Sequence, residues 1–131
     1  MNHLSKALSI LFSIYILMSC AHNDSNKTEE KDLIPLPSHI ETSNREFIWN
    51  SSTSIIIATD NDEVERIAIK LGKFLSNAMD NEVSVRKGED NTDNAIVLSL
   101  NDTIKGDEAY YLRVGIARIS LSASTPAGLF Y

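Results

Sequence analysis

Positive charge is scarce: 12 Lys and Arg stand against 18 Asp and Glu, a formal charge of −6 at pH 7. No basic stripe is available to neutralise phosphates, so the reading excludes a nucleic-acid partner. Cysteine occurs once, at Cys20. That excludes an intramolecular disulfide framework and a cysteine-built metal site. The three histidines, His3, His22 and His39, have no metal-ligand spacing. The five glycines stand singly, so there is no phosphate-cradling loop. The serines form no Gly-x-Ser-x-Gly elbow. No cofactor motif is found. No apolar run is long enough to span a membrane. Against these absences, the 131 residues are 43% hydrophobic and 23% charged. That is a globular balance for one domain of ordinary size and excludes a wholly disordered chain.

The N-terminus carries an address. Lys6 gives a short positive region, and Ala7 to Met18 is apolar apart from Ser9 and Ser13. As a helix that run would measure about 18 Å against a bilayer core of about 30 Å, which suits the apolar part of a secretory signal peptide. Leu17-Met18-Ser19-Cys20 then resembles a bacterial lipobox. The thiol of Cys20 would take the diacylglyceryl group, and its amine, freed by cleavage, a further acyl chain; two signals anchor stably where one does not. The expectation is a signal peptide over 1–19 and a lipid-attachment site at Cys20. The product would be a bacterial membrane-anchored lipoprotein on the periplasmic or cell-surface side. From Ala21 to Asp32 no apolar residue follows the alanine. Residues 20–32 therefore read as lipidated cysteine plus flexible tether, with His22 a solvated linker residue.

The folded domain is expected over 33–131. Pro35 and Pro37 impose an extended opening. Glu46 to Trp49 reads as an edge strand, and Ser54 to Ala58 as a strand buried on both faces. Val64, Ile67, Ala68, Leu71, Phe74, Leu75 and Ala78 mark one helical stripe. Asp60, Asp62, Glu63 and Glu65 crowd its N-terminus, and the Asp60–Glu63 spacing fits a capping box. A calcium loop starting at Asp60 fails, because Val64 and Glu65 occupy a ligand position and the required glycine position. Gly72 inside this helix costs about 1 kcal/mol against alanine, which a close backbone approach to a sheet would explain. Val83 and Val85, Ala95 to Leu100, Ala109 to Val114 and Ile119 to Ala123 read as further strands, with a hairpin turn over Gly115 to Arg118. Thr125 and Pro126 open a second helix. The order is β-β-α-β-β-β-β-α, an α+β fold: one mixed, partly antiparallel sheet with a helix on one face. A helix opening at Thr125 and stopping at Tyr131 is too short to stand alone. The expectation is a fragment whose second helix is truncated at the C-terminus.

Three segments resemble the N-terminal domain of bacterial β-N-acetylhexosaminidases, the family 20 glycoside hydrolases. Leu33-Ile34-Pro35-Leu36-Pro37 resembles its Ile-Pro-x-Pro opening. Asp107-Glu108-Ala109-Tyr110-Tyr111-Leu112-Arg113-Val114 is similar to its Asp-Glu-x-Tyr-x-Leu-x-Val strand. Gly128-Leu129-Phe130-Tyr131 matches four residues of its Gly-Leu-Phe-Tyr-Gly helix opening. The resemblance covers Leu33 to Tyr131. It implies a non-catalytic module beside a TIM-barrel catalytic domain in cis. It further implies a parent enzyme that removes terminal N-acetylhexosamine from glycoconjugates or chitin-type oligosaccharides. In that family the substrate's acetamido oxygen attacks the anomeric carbon, assisted by an Asp-Glu pair of the barrel. A barrel takes about 250 residues, so no catalytic residue is assigned to this chain.

Gly106-Asp107-Glu108 imitates the end of the family's His-x-Gly-Gly-Asp-Glu signature. Lys105 replaces the first glycine, and a turn entering a strand accounts for Gly-Asp. Trp49, Tyr110 and Tyr111 are candidate sugar-stacking side chains. Packing is the favoured role for Trp49, with one tyrosine facing in and the other out. The rival readings are a stand-alone surface lipoprotein that binds a partner or glycan, and the same module before a hyaluronidase-like or α-glucuronidase barrel.

Overall fold

The computed structural model describes residues 37–131, and its main compact unit runs from Ser43 to Tyr131. The elements are β1 (Ser54–Ile57), α1 (Asp62–Met79), β2 (Val85–Lys87), β3 (Ala95–Leu100), β4 (Tyr110–Val114), β5 (Arg118–Ala123) and α2 (Pro126–Phe130). The strands form one mixed sheet in the order β2-β1-β3-β5-β4. β1 pairs in parallel with β2 and β3, and β3 in parallel with β5, while β4 runs antiparallel to β5. The α+β class expected from the sequence is the class observed.

Glu46 to Trp49 forms no strand. The strand runs on both sides of β1 are already taken by β2 and β3, and the sheet edges are β2 and β4. The segment is held by a side chain instead: Trp49 is half-buried against the main core, and Ile48 is exposed. The four residues of β1 are all buried, because the strand is central and covered on both faces.

α1 lies across one face. Its Val64 and Ala68 pack with Ile55, Ile57, Val83, Leu98, Ala123 and Leu129 of α2, so both helices share that face. Gly72 allows the close approach, since a methyl group there would stand 2.7 Å from Val85 Cγ2. The helix cap is Asn61 rather than Asp60. Asn61 Oδ1 accepts from the backbone N–H groups of Glu63 and Val64 at 3.0 and 3.1 Å, and its backbone is extended as an N-cap requires. Asp60 is engaged elsewhere, accepting from Lys87 Nζ at 2.8 Å. Asp80, with φ of 49°, ends the helix in the left-handed region.

On the opposite face Ile56, Ala95 and Val97 form a second, smaller core. The loop after β2 folds onto it. Gly88 sits so close that a methyl group would stand 3.0 Å from Ile56 Cγ2. Arg118 pins the loop, donating to Asp90 O at 3.0 Å and to Asp93 Oδ1 at 2.5 Å.

Candidate functional site

The Asp107–Glu108 pair lies in the turn entering β4 and does turn chemistry. Gly106 has φ of 113°, a conformation glycine adopts freely. Ser124 Oγ donates to Gly106 O at 2.8 Å, and Thr125 Oγ1 donates to Asp107 O. The two carboxylates are exposed. The turn joins β4 to the start of α2.

That junction explains two of the sequence motifs at once. α2 crosses the start of β4 at Gly128, where a methyl group would stand 2.6 Å from Ala109 O and 2.8 Å from Ala123 Cβ. The Asp-Glu-x-Tyr strand opening and the Gly-Leu-Phe-Tyr helix opening, some twenty residues apart in the chain, are therefore packed against each other. Thr125 caps the helix, its Oγ1 accepting from Gly128 N at 3.4 Å. Within these motifs packing accounts for Gly128 and for Leu129, which is buried in the main core.

The other candidates fall apart in space. Tyr110 lies on the helix side of β4 and Tyr111 on the other, as expected, yet neither is buried. His39 meets only Glu41, at 3.2 Å in the open. Cys20, His3 and His22 lie outside the described residues. Among the described residues no three His, Cys, Asp or Glu side chains are placed to share a metal ion. The Asp60–Lys87 pair is the clearest electrostatic feature. Hydrogen bonding from Lys87, then its charge, holds the Asp60 carboxyl below its ordinary value, and the same bond raises Lys87. The pair is exposed and ties the entry of α1 to the end of β2.

What the chain presents instead is apolar surface on the helix side. Tyr110, Leu112 and Val114 of β4 stand opposite Ala123, Leu121 and Ile119 of β5. They are exposed, as are Phe130 and Tyr131 at the end of α2 and Phe74 on α1. Strand periodicity put Tyr110, Leu112 and Val114 on one face. It gave no sign that the two helices leave that face uncovered.

The described residues form a mixed sheet with two helices on one side and an open apolar flank. The chain matches the family model for glycosyl hydrolase family 20, domain 2, over residues 30–131, and it belongs to that family. It is similar in fold to the family 20 β-N-acetylhexosaminidase of Streptomyces coelicolor A3(2). That match has 24% identity and a TM-score of 0.59, over 79% of this chain and 20% of that one. It is also similar to an inactive mutant of the family 20 exo β-N-acetylglucosaminidase of Vibrio harveyi, at 24% identity and a TM-score of 0.59. Here the match covers 78% of this chain and 15% of that one. The chain thus spans a fifth or less of the length of these solved enzymes. Among curated proteins none matches it.

Proposed function

We propose that this chain is the non-catalytic domain of a β-N-acetylhexosaminidase that removes terminal N-acetylhexosamine from glycoconjugates or chitin-type oligosaccharides. The supporting observation is the domain 2 match across residues 30–131, together with a flank of exposed apolar side chains that a neighbouring domain would bury. The module's work is mechanical. It packs against a catalytic barrel in cis and supplies no acid, base or nucleophile. Acylation of Cys20 would hold the enzyme on the membrane, and residues 20–32 would space it from the lipid.

Assay of an aryl N-acetyl-β-glucosaminide tests the first part. The full-length gene product is expected to turn it over, and the 131-residue chain is expected not to. Turnover by the short chain, or none by a long product carrying a barrel, would overturn the assignment. The anchor is tested by fractionation: Cys20→Ser should move the protein from the membrane to the soluble fraction, and unchanged partitioning would remove the lipid from the proposal.

A further inference from the structure

The two edges of the sheet are built differently. β2 has three residues, two of them the cations Arg86 and Lys87. Shortness and like charge keep another strand off such an edge. β4 has five residues, all exposed, with no proline or glycine and a single charge at Arg113. That is an ordinary strand length with little to blunt it. The hydrogen-bonding groups of β4 divide by residue. Just beyond the strand, Gly115 N–H donates to Arg118 O at 2.9 Å. Bonded pairs alternate with unbonded ones in an antiparallel ladder. Counting from that bond, Arg113 and Tyr111 bond to Ser120 and Ser122, while Tyr110, Leu112 and Val114 do not bond to β5. Ala123, opposite Tyr110, agrees: its C=O faces β3 and accepts from Asn101 N–H at 2.7 Å. The backbone N–H and C=O groups of Tyr110, Leu112 and Val114 therefore point outward. Among the described residues no strand lies there.

We infer that this edge takes a second copy of the chain, the two β4 strands pairing antiparallel about a two-fold axis at Leu112. That register pairs all five residues. The outward N–H groups of Tyr110, Leu112 and Val114 on each strand meet the outward C=O groups of the other. The side chains are self-complementary, as a two-fold contact requires. On the helix side Leu112 meets its own copy and Tyr110 meets Val114, so every pair is apolar. On the other side Arg113 of each copy stands across from Tyr111 of the other, a cation against the face of an aromatic ring. Neighbouring registers lose this match. An axis at Arg113 sets two guanidinium groups directly opposite each other, which repels. An axis at Tyr111 leaves Arg113 and Val114 with no strand residue opposite. The pairing joins two five-stranded sheets into one continuous sheet. It uses the sheet edge alone and is independent of the catalytic reading above.

Disulfide cross-linking tests the register in the 131-residue chain, where Cys20→Ser removes the native thiol. At the axis, Leu112→Cys lies about 5.5 Å from its copy between Cα atoms, within disulfide range. Tyr110→Cys and Val114→Cys each lie four residues, about 14 Å, from their own copies, which is out of range. Under mild oxidation Leu112→Cys should form covalent dimers at least about tenfold more than either of the others alone. A mixture of Tyr110→Cys and Val114→Cys chains should cross-link as Leu112→Cys does, and it carries the test should Leu112→Cys not fold. Equal cross-linking of all three single variants would overturn the inference, assigning the association to unspecific apolar contact. Absence of cross-links from both Leu112→Cys and the mixture would overturn it too. Sedimentation of the full-length gene product is the second measurement. Leu112→Pro removes an outward N–H and no bond to β5, so it should shift the protein from dimer to monomer. A full-length product that is monomeric throughout, or whose dimer is untouched by Leu112→Pro, would overturn the pairing.

Discussion

Gly128 has no room for a methyl group, and the atom it would strike first is a backbone carbonyl that cannot swing aside. Alanine is the better helix former by about 1 kcal/mol, so propensity alone predicts that Gly128→Ala stabilises. The contact outweighs it. The substitution should destabilise by about 1–3 kcal/mol, the usual range for overpacking, read as a lower urea midpoint with unchanged slope. Asn94 is the second residue whose identity is set by its surroundings. Its φ is 52°. Its side chain exchanges two hydrogen bonds with the Asn50 amide, accepts from Thr53 Oγ1 at 2.9 Å and donates to Ser52 Oγ at 2.9 Å. It thereby ties the turn before β1 to the start of β3. Asn94→Ala should cost about 2–3 kcal/mol, combining left-handed backbone strain with lost hydrogen bonds. Asn94→Gly should cost about 1 kcal/mol, since only the bonds go. Equal losses in both variants would show that the backbone conformation contributes nothing.

At the scale of elements, the entry to α1 separates two roles that the sequence ran together. Asn61 caps the helix, and Asp60 holds β2 through Lys87. Asn61→Ala should cost about 1 kcal/mol, evenly across pH. Asp60→Asn should lower stability in a pH-dependent way. Asp60 titrates below its ordinary value in the fold, so its contribution is present above the ordinary aspartate range and is lost as pH falls through the folded value. Lys87 titrates above its ordinary value, so its share is present at neutral pH and is lost as pH rises through the raised value. The gap between wild type and Asp60→Asn should be flat near neutrality and close at both extremes, with urea midpoints as the measure. The pair is exposed, so salt should shrink the gap. β4 illustrates a different conflict. Its alternation is that of a half-buried strand, yet it sits at the sheet edge with both faces exposed.

At the scale of the whole molecule, that edge carries the chain's solubility. An exposed apolar flank on an edge strand, paired on one side only, invites association. The 131-residue chain should self-associate as its concentration rises, and Leu112→Lys with Val114→Lys should keep it monomeric in sedimentation. The same pair of lysines should leave β1 and β3 folded, since neither side chain enters the two buried cores. A chain that remains monomeric without the lysines would show that the flank is not sticky enough to need a partner.

Local physics was enough to read much of this protein. The 3.6-residue stripe marked α1, and the β-branched runs marked β1 and β3. The Thr-Pro pair marked the start of α2, and three short motifs marked the family. Each depends on neighbours in the chain, which a sequence displays directly. Which side chains share a place was left to the tertiary structure. Glu46 to Trp49 had the pattern of a strand, but the sheet held no free position beside β1. Asp60 had the spacing of a cap, but Lys87 from β2 claimed its carboxylate. Gly128 and Ala109 had no visible link until α2 folded back over β4. Exposure of Leu112 and Val114 depends on how far two helices reach across a sheet, a distance in space that periodicity along the chain does not encode.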